Sequence, residues 1–179
     1  MPAPLTAEDY DRLPPDNRIE LVDGILRIRP SATRRHQVVV EKLREALQTR
    51  CPKSLRLVRN QELRLAALHR RDPDVMAVRA EVVDLDSCRY KPNDVVLAIE
   101  VVSPHTQIAD RLHKPAEYAT AGIEHYWRVE IRPKIAVHTY RLADTGAYLA
   151  SGVFTEGDTV AAPGLPWAKI QVSDLSPAA

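Results

Sequence analysis

Three carboxylates lie in or beside apolar runs of the chain: Glu20 in Arg18-Ile19-Glu20-Leu21-Val22, Asp74 ahead of Val75-Met76-Ala77-Val78, and Glu100 after Val95-Val96-Leu97-Ala98-Ile99. An ionised carboxylate removed from water is costly unless it is paired or coordinates a cation. Glu100 needs a partner most, because its run is long and β-branched enough for a strand buried on both faces. Two kinds of partner are open to it: a divalent metal, or an arginine or solvent at the strand's exit. Hard oxygen ligands select Mg²⁺ or Mn²⁺, which keep several waters and take one or two carboxylates plus a substrate phosphate. An ion held that way neutralises a phosphodiester, lowers the pKa of a bound water and stabilises a departing oxygen. Lys114 would add a fixed positive charge or a proton shuttle beside the attacking water, and Asp110, four residues earlier, could orient its ammonium. Rival chemistries lack the patterns they require. Ser103, His105 and Asp110 have no GxSxG elbow around the serine, and the six histidines lack the spacing of a zinc site.

The elements that must carry these groups follow from pattern and punctuation. Thr6 caps a short helix, Ala7 to Leu13, that Pro14-Pro15 ends. Asp23-Gly24 between two apolar runs signals an N-terminal β-hairpin with Glu20 on its first arm. Pro30-Ser31-Ala32 breaks that strand, and a long helix from about Thr33 to Thr49 follows, with Val39, Leu43, Ala46 and Leu47 on one face. Its other side carries Arg34, Arg35, Lys42 and Arg44. Leu55 to Val58, Glu62 to Ala66 and Arg71 to Val78 read as strands, the last with Pro73 near its start. Arg79 to Asn93 is a polar connection leading to the central strand. Pro115 cannot sit in a helix interior, so the second, short helix is expected to begin there and run to Ala121, with Gly122 stopping it. His125 to Ile131, Lys134 to Leu142, Tyr148 to Thr155 and Lys169 to Val172 complete the strands. With no repeat or linker, residues 1–179 read as one domain of α/β (α+β) type built on a mixed sheet.

Composition narrows the partners. A chain with 45% apolar and 27% charged residues is an ordinary soluble globule, and no apolar run approaches the length a membrane span needs. MPAPLTAEDYDRL has no basic segment followed by an apolar one, so the protein is expected in the cytoplasm, with Cys51 and Cys88 as spare small side chains. The net charge of +1 conceals an asymmetry. Between Arg27 and Arg71 thirteen Lys or Arg face three acids, Glu41, Glu45 and Glu62, so the remainder of the chain is strongly acidic. This basic segment, with Arg34 and Arg35 at the long helix's start, reads either as a surface for phosphate backbone or as a solvated arginine-rich face. Aromatic content of 5% leaves little for stacking on single-stranded bases, so duplex is the better substrate.

At these residues the chain resembles the Uma-type endonucleases of the PD-(D/E)xK nuclease superfamily. The resemblance runs from about Asp9 to Leu175. It is carried by Glu20-Leu21-Val22-Asp23-Gly24, His36 opening the long helix, Pro73-Asp74-Val75, Glu100-Val101-Val102-Ser103-Pro104, Asp110-Arg111, Lys114, Tyr118, and Ala121-Gly122 through Tyr126-Trp127. It implies a restriction-endonuclease-like core in which Asp74 and Glu100 bind the metal, Glu20 is an additional ligand, and His36, Asp110 and Tyr118 support them. It also implies Mg²⁺-dependent cleavage of DNA, and by analogy a homodimer. One position departs from the superfamily: the lysine expected two residues after Glu100 is Val102. Either Lys114 reaches back as a migrated lysine, or the fold survives as a catalytically inactive DNA-binding or protein-interaction module.

Overall fold

The computed structural model describes residues 3–14, 16 and 18–177. Its strands are β1 (Ile19–Val22), β2 (Ile25–Ile28), β3 (Leu55–Val58), β4 (Glu62–Ala66), β5 (His69–Arg71), β6 (Val75–Arg79), β7 (Arg89–Tyr90), β8 (Val95–Val101), β9 (His125–Glu130), β10 (Ala136–Leu142) and β11 (Tyr148–Thr155). Among the described residues three α-helices, α1 (Ala7–Tyr10), α2 (Arg34–Gln48) and α3 (Lys114–Thr120), accompany them. The strands form two mixed sheets, one ordered β2-β1-β5-β4-β7 and the other β11-β10-β9-β8-β6-β3. All neighbours are antiparallel except β4 with β7 and β8 with β9. Among the described residues no helix is long and apolar enough to cross a membrane.

Local chemistry accounts for the N-terminal half. Thr6 and Asp9 form a reciprocal cap: Asp9 N–H donates to Thr6 Oγ1 at 3.1 Å, and Thr6 N–H to Asp9 Oδ2 at 3.0 Å. Helix α1 stops at Tyr10, short of the expected Leu13, whose side chain has no core to enter and stays exposed. Of the two prolines expected to end it, Pro15 lies outside the described residues. Asp23 and Gly24 both take positive φ, 53° and 71°, which a two-residue hairpin turn requires. A Cβ on Gly24 would stand 2.4 Å from Pro4 Cβ, so the turn also needs the missing side chain. Thr33 caps α2 by accepting from His36 N–H at 3.3 Å, and so fixes His36 in the first turn.

The central strands of the larger sheet, β6, β8 and β9, are buried on both faces. Val39, Val40, Leu43 and Leu47 of α2 cover one side, against Val75, Ala77, Leu97, Ile99, Val101 and Trp127. The pleat turns Met76, Val78, Ala98 and Tyr126 to the other side, where they meet Tyr118 and Ile123, and Leu63 and Tyr90 of the smaller sheet. Glu100 is two residues beyond Ala98 and shares that second side, which places its carboxylate toward α3.

Four expectations from pattern are corrected. Arg71 to Val78 is two strands in different sheets, β5 pairing with β1 and β4, and β6 with β3 and β8. Asp72-Pro73-Asp74 makes the crossing, where a residue without N–H breaks no ladder. The second helix begins well before Pro115. It is helical from Gln107, passes through a π-helical turn at Ala109–His113 and runs directly into α3. The wider turn upstream absorbs the bond and the space that the proline ring disturbs. Lys169 to Val172 is no strand: only a bridge between Thr159 and Gln171 forms, and a 3-10 turn, Val172–Leu175, follows. Ile170, Val172 and Leu175 are buried by packing on the α2 side of the core rather than by a ladder. The polar connection Arg79 to Asn93 contains β7, a two-residue strand too short to leave a period.

Candidate active site

The antiparallel register of β6 and β8, with Val75 opposite Ile99, brings Asp74 alongside Glu100. Both are buried, and both line one cavity of about 20 Å³ together with Arg29, His36, Asp110 and Lys114. That volume suits a single water-sized ligand. Asp110, Lys114 and Tyr118 are spaced by four, so the continuous helix stacks them on one face above Glu100. Lys114 Nζ donates to Glu100 Oε2 at 2.9 Å and lies 2.9 Å from Asp110 Oδ1, the latter an ion contact without hydrogen-bond alignment. Tyr118 donates its hydroxyl to Glu100 Oε1 at 2.6 Å. On the neighbouring strand Asp74 Oδ2 accepts from Val101 N–H at 2.8 Å and faces His36 Nε2 at 3.1 Å.

Around this centre lies a dense ionic network. Glu20 accepts from Arg71 Nη1 at 2.8 Å and from Asp72 N–H at 3.3 Å, and Arg71 also grips Glu117 with Nε and Nη2 at 2.7 and 2.6 Å. Arg29 is 3.5 Å from Asp74, 3.7 Å from Asp72 and 3.9 Å from Glu20. Six carboxylates, those of Glu20, Asp72, Asp74, Glu100, Asp110 and Glu117, therefore share three fixed cations, Arg29, Arg71 and Lys114. Protons take up part of the excess. Burial pushes Glu100 up to about 8 against the pull of Lys114, and pushes Asp72 up to about 7 against that of Arg29. Burial also opposes ionisation of Asp74, but the His36 hydrogen bond and the charges of His36, Lys114 and Arg29 hold it below its ordinary value. For His36, burial works against the charged form, and the contact with Asp74 outweighs it and raises its pKa. Lys114 is likewise penalised by burial, yet Glu100, Asp110, Glu20 and Asp74 raise its pKa, so the ammonium stays charged.

Of the residues singled out in the sequence, Asp74, Glu100, Lys114, His36, Asp110 and Tyr118 come together. Glu20 lies behind Asp72, with both oxygens accepting from Arg71 and the Asp72 backbone, and it does not line the small cavity. Arg34 and Arg35 are exposed at the start of α2, and Arg35 donates to the Ile131 carbonyl at 3.2 Å. The basic segment is not one surface. Arg70 and Arg71 are buried and Arg29 mostly so, all three facing carboxylates inside the protein. Pattern reading passes over Arg29 and Asp72. Asp72 is detectable as the second acid flanking Pro73; Arg29, one residue past β2, carries no signal.

Asp74 and Glu100 bring two carboxylates to the cavity, too few to enclose an ion without water or substrate. Among the described residues no group of three or more His, Cys, Asp or Glu side chains is arranged to hold a metal ion. Asp74 and Glu100 instead offer two hard carboxylates at a cavity of one-ligand size, which fits Mg²⁺ or Mn²⁺ with water and phosphate filling the remaining positions.

Two mixed sheets with few helices make a restriction-endonuclease-like fold. Residues 7–173 match the family described as "Uma2: Putative restriction endonuclease", and the chain belongs to that family. The chain is also similar in structure to a protein from Anabaena variabilis ATCC 29413 whose crystal structure is described as that of "a putative nuclease belonging to DUF820". The TM-score is 0.75 at 16% identity, over 96% of this chain and 97% of the other, a likeness of fold. No curated protein sequence matches the chain.

Proposed function

We propose that the protein is a metal-dependent DNA endonuclease in which Asp74 and Glu100 hold Mg²⁺ or Mn²⁺. The observation that carries this reading is the 2.9 Å contact of Lys114 Nζ with Glu100: a helix supplies the lysine that the strand lacks at Val102. When bound, the ion would neutralise the phosphodiester and lower the pKa of a water, so that the water could lose a proton to solvent and attack phosphorus as the nucleophile. His36 orients Asp74, and Tyr118 does the same for Glu100. Lys114, kept charged by the carboxylates around it, acts as a fixed positive charge rather than a base, offsetting negative charge as it grows on the phosphoryl oxygens. Asp110 holds that ammonium in place. Glu20 serves in this reading to hold Arg71 and the Asp72 backbone, and so the crossing that delivers Asp74. Exposed basic residues, Arg34 and Arg35 among them, would take the duplex backbone, and two copies of the chain would supply one site per strand.

A second reading has its own observation. Both oxygens of Glu100 already accept hydrogen bonds, from Lys114 and Tyr118, as they would in a nuclease-fold module that binds without cutting. Supercoiled-plasmid cleavage with Mg²⁺, Mn²⁺ or EDTA, run beside Asp74→Ala, separates the two. Cleavage supported by either ion, abolished by EDTA and lowered at least about 100-fold in Asp74→Ala is the expected result. Wild-type protein that binds duplex but leaves it uncut with every ion would establish the binding module instead.

A further inference from the structure

A wide cleft of about 520 Å³ adjoins the small carboxylate cavity, and Arg29, His36 and Asp74 line both. Three arginines reach this cleft, and their donors are not equally free. The Arg18 guanidinium makes two hydrogen bonds to Asp16, from Nε at 3.1 Å and from Nη2 at 2.9 Å. Arg59 is engaged by Glu41. Arg29 differs from both: its contacts with Glu20, Asp72 and Asp74 are 3.9, 3.7 and 3.5 Å long, and among the described residues its guanidinium donates no hydrogen bond. A guanidinium is a planar fork of five donors that binds oxyanions best in short, paired bonds. Here three carboxylates hold one by charge alone while 23% of the side chain stays exposed.

The electrostatics of the cleft say what those donors would take. Asp74 faces the cleft, so an anion approaching it meets like charge unless a cation stands between. Lys114 cannot fill that role, since it lies deeper and is committed to Glu100 and Asp110. We infer that Arg29 receives the non-bridging oxygens of a backbone phosphate, holding the nucleic-acid strand where the open cleft meets the carboxylate cavity. This rests on the nuclease reading and adds to it the residue that grips the strand.

The test measures binding without cleavage. Wild type, Arg29→Gln and Arg29→Lys are titrated with a short DNA duplex in EDTA over a series of salt concentrations, and separately with Mn²⁺ by calorimetry without DNA. Arg29→Gln should weaken duplex binding about tenfold, the scale of one charged hydrogen-bonded contact, and lower the salt slope by about 0.9. Arg29→Lys should keep the slope but lose several-fold in affinity, because the paired geometry is gone. Should Arg29→Gln fail to fold, Arg29→Lys decides by its affinity: a value equal to wild type overturns the inference. So does an Arg29→Gln salt slope equal to wild type, whatever happens to Mn²⁺ binding, because Arg29 would then only balance the acidic cluster. Absence of Mn²⁺ binding by wild type, with the slope change present, removes the metal from the nuclease reading and leaves Arg29 as the phosphate contact. Absence of any duplex binding by wild type overturns both.

Discussion

Lys114 is a buried cation between two carboxylates, and its role can be read from what its removal would do to rate, affinity and stability separately. Lys114→Ala should lower single-turnover cleavage by about two orders of magnitude or more, while duplex affinity measured by filter binding changes little. The same variant leaves Glu100 and Asp110 buried without their cation, so its thermal unfolding should come earlier, by an amount equivalent to about 3 kcal/mol. A variant that melts early yet cuts at the wild-type rate would make Lys114 a structural residue. Glu100 adds a pH dependence. Burial raises its pKa to about 8, so the folded protein binds a proton that the unfolded chain releases at ordinary carboxylate pH. Its contribution to stability is therefore present at low pH and lost as pH rises toward 8. Thermal melts of the metal-free protein should fall over that window, and Glu100→Gln should flatten the decline; equal slopes in both proteins would assign the effect to another group.

At the scale of elements, the site depends on two long-range arrangements and one continuous helix. Sheet pairing aligns Asp74 with Glu100, and α2 presses on the opposite side of the same strands while its first turn delivers His36. Leu43, fully buried in that contact, is the side chain to probe. Leu43→Ala should destabilise the fold by about 2–5 kcal/mol in denaturant titration, and no comparable loss would mean that the helix is held mainly by other contacts. The helix after β8 shows where a local rule gives way to its surroundings. Proline's preference for the first helical position puts a helix start at Pro115, but the π-helical turn lets the helix begin earlier and continue past it. Without that continuity Asp110, Lys114 and Tyr118 would not share a face.

For the whole molecule the question is where nucleic acid could lie. The thirteen basic residues between Arg27 and Arg71 divide into an internal set, Arg29, Arg70 and Arg71, and the remainder, which includes the exposed Arg34, Arg35 and Arg59. Only cations that can reach a phosphate backbone release its counterions, which here means the exposed residues and Arg29 where it lines the open cleft. Duplex binding should therefore weaken linearly in log affinity against log salt, and the double variant Arg34→Ala, Arg35→Ala should lower that slope by about 0.9 for each phosphate it leaves unneutralised. Binding indifferent to salt would exclude this face of α2 as the docking surface.

The sequence alone was sufficient for features set by neighbours in the chain. The Asp23-Gly24 turn, the cap at Thr6, the amphipathic face of α2 and the apolar run of β8 all depend on residues a few positions apart. It also put forward candidate site residues that the fold brings together: Asp74 and Glu100, carboxylates beside apolar runs, and Lys114, four residues after Asp110. Tertiary structure decided what no short window contains. Asp72-Pro73-Asp74 passes from one sheet to the other, although its composition reads as the start of a single strand. Arg29, distant in sequence from both Asp72 and Asp74, joins the carboxylates only because β1, β2 and β5 pair. The tertiary structure also divided the basic segment between interior and surface, since charge at a position does not tell whether folding places a carboxylate or water beside it. Lys114 shows both contributions at once: its spacing made it a candidate, and the packing of the helix against β8 put its ammonium on Glu100.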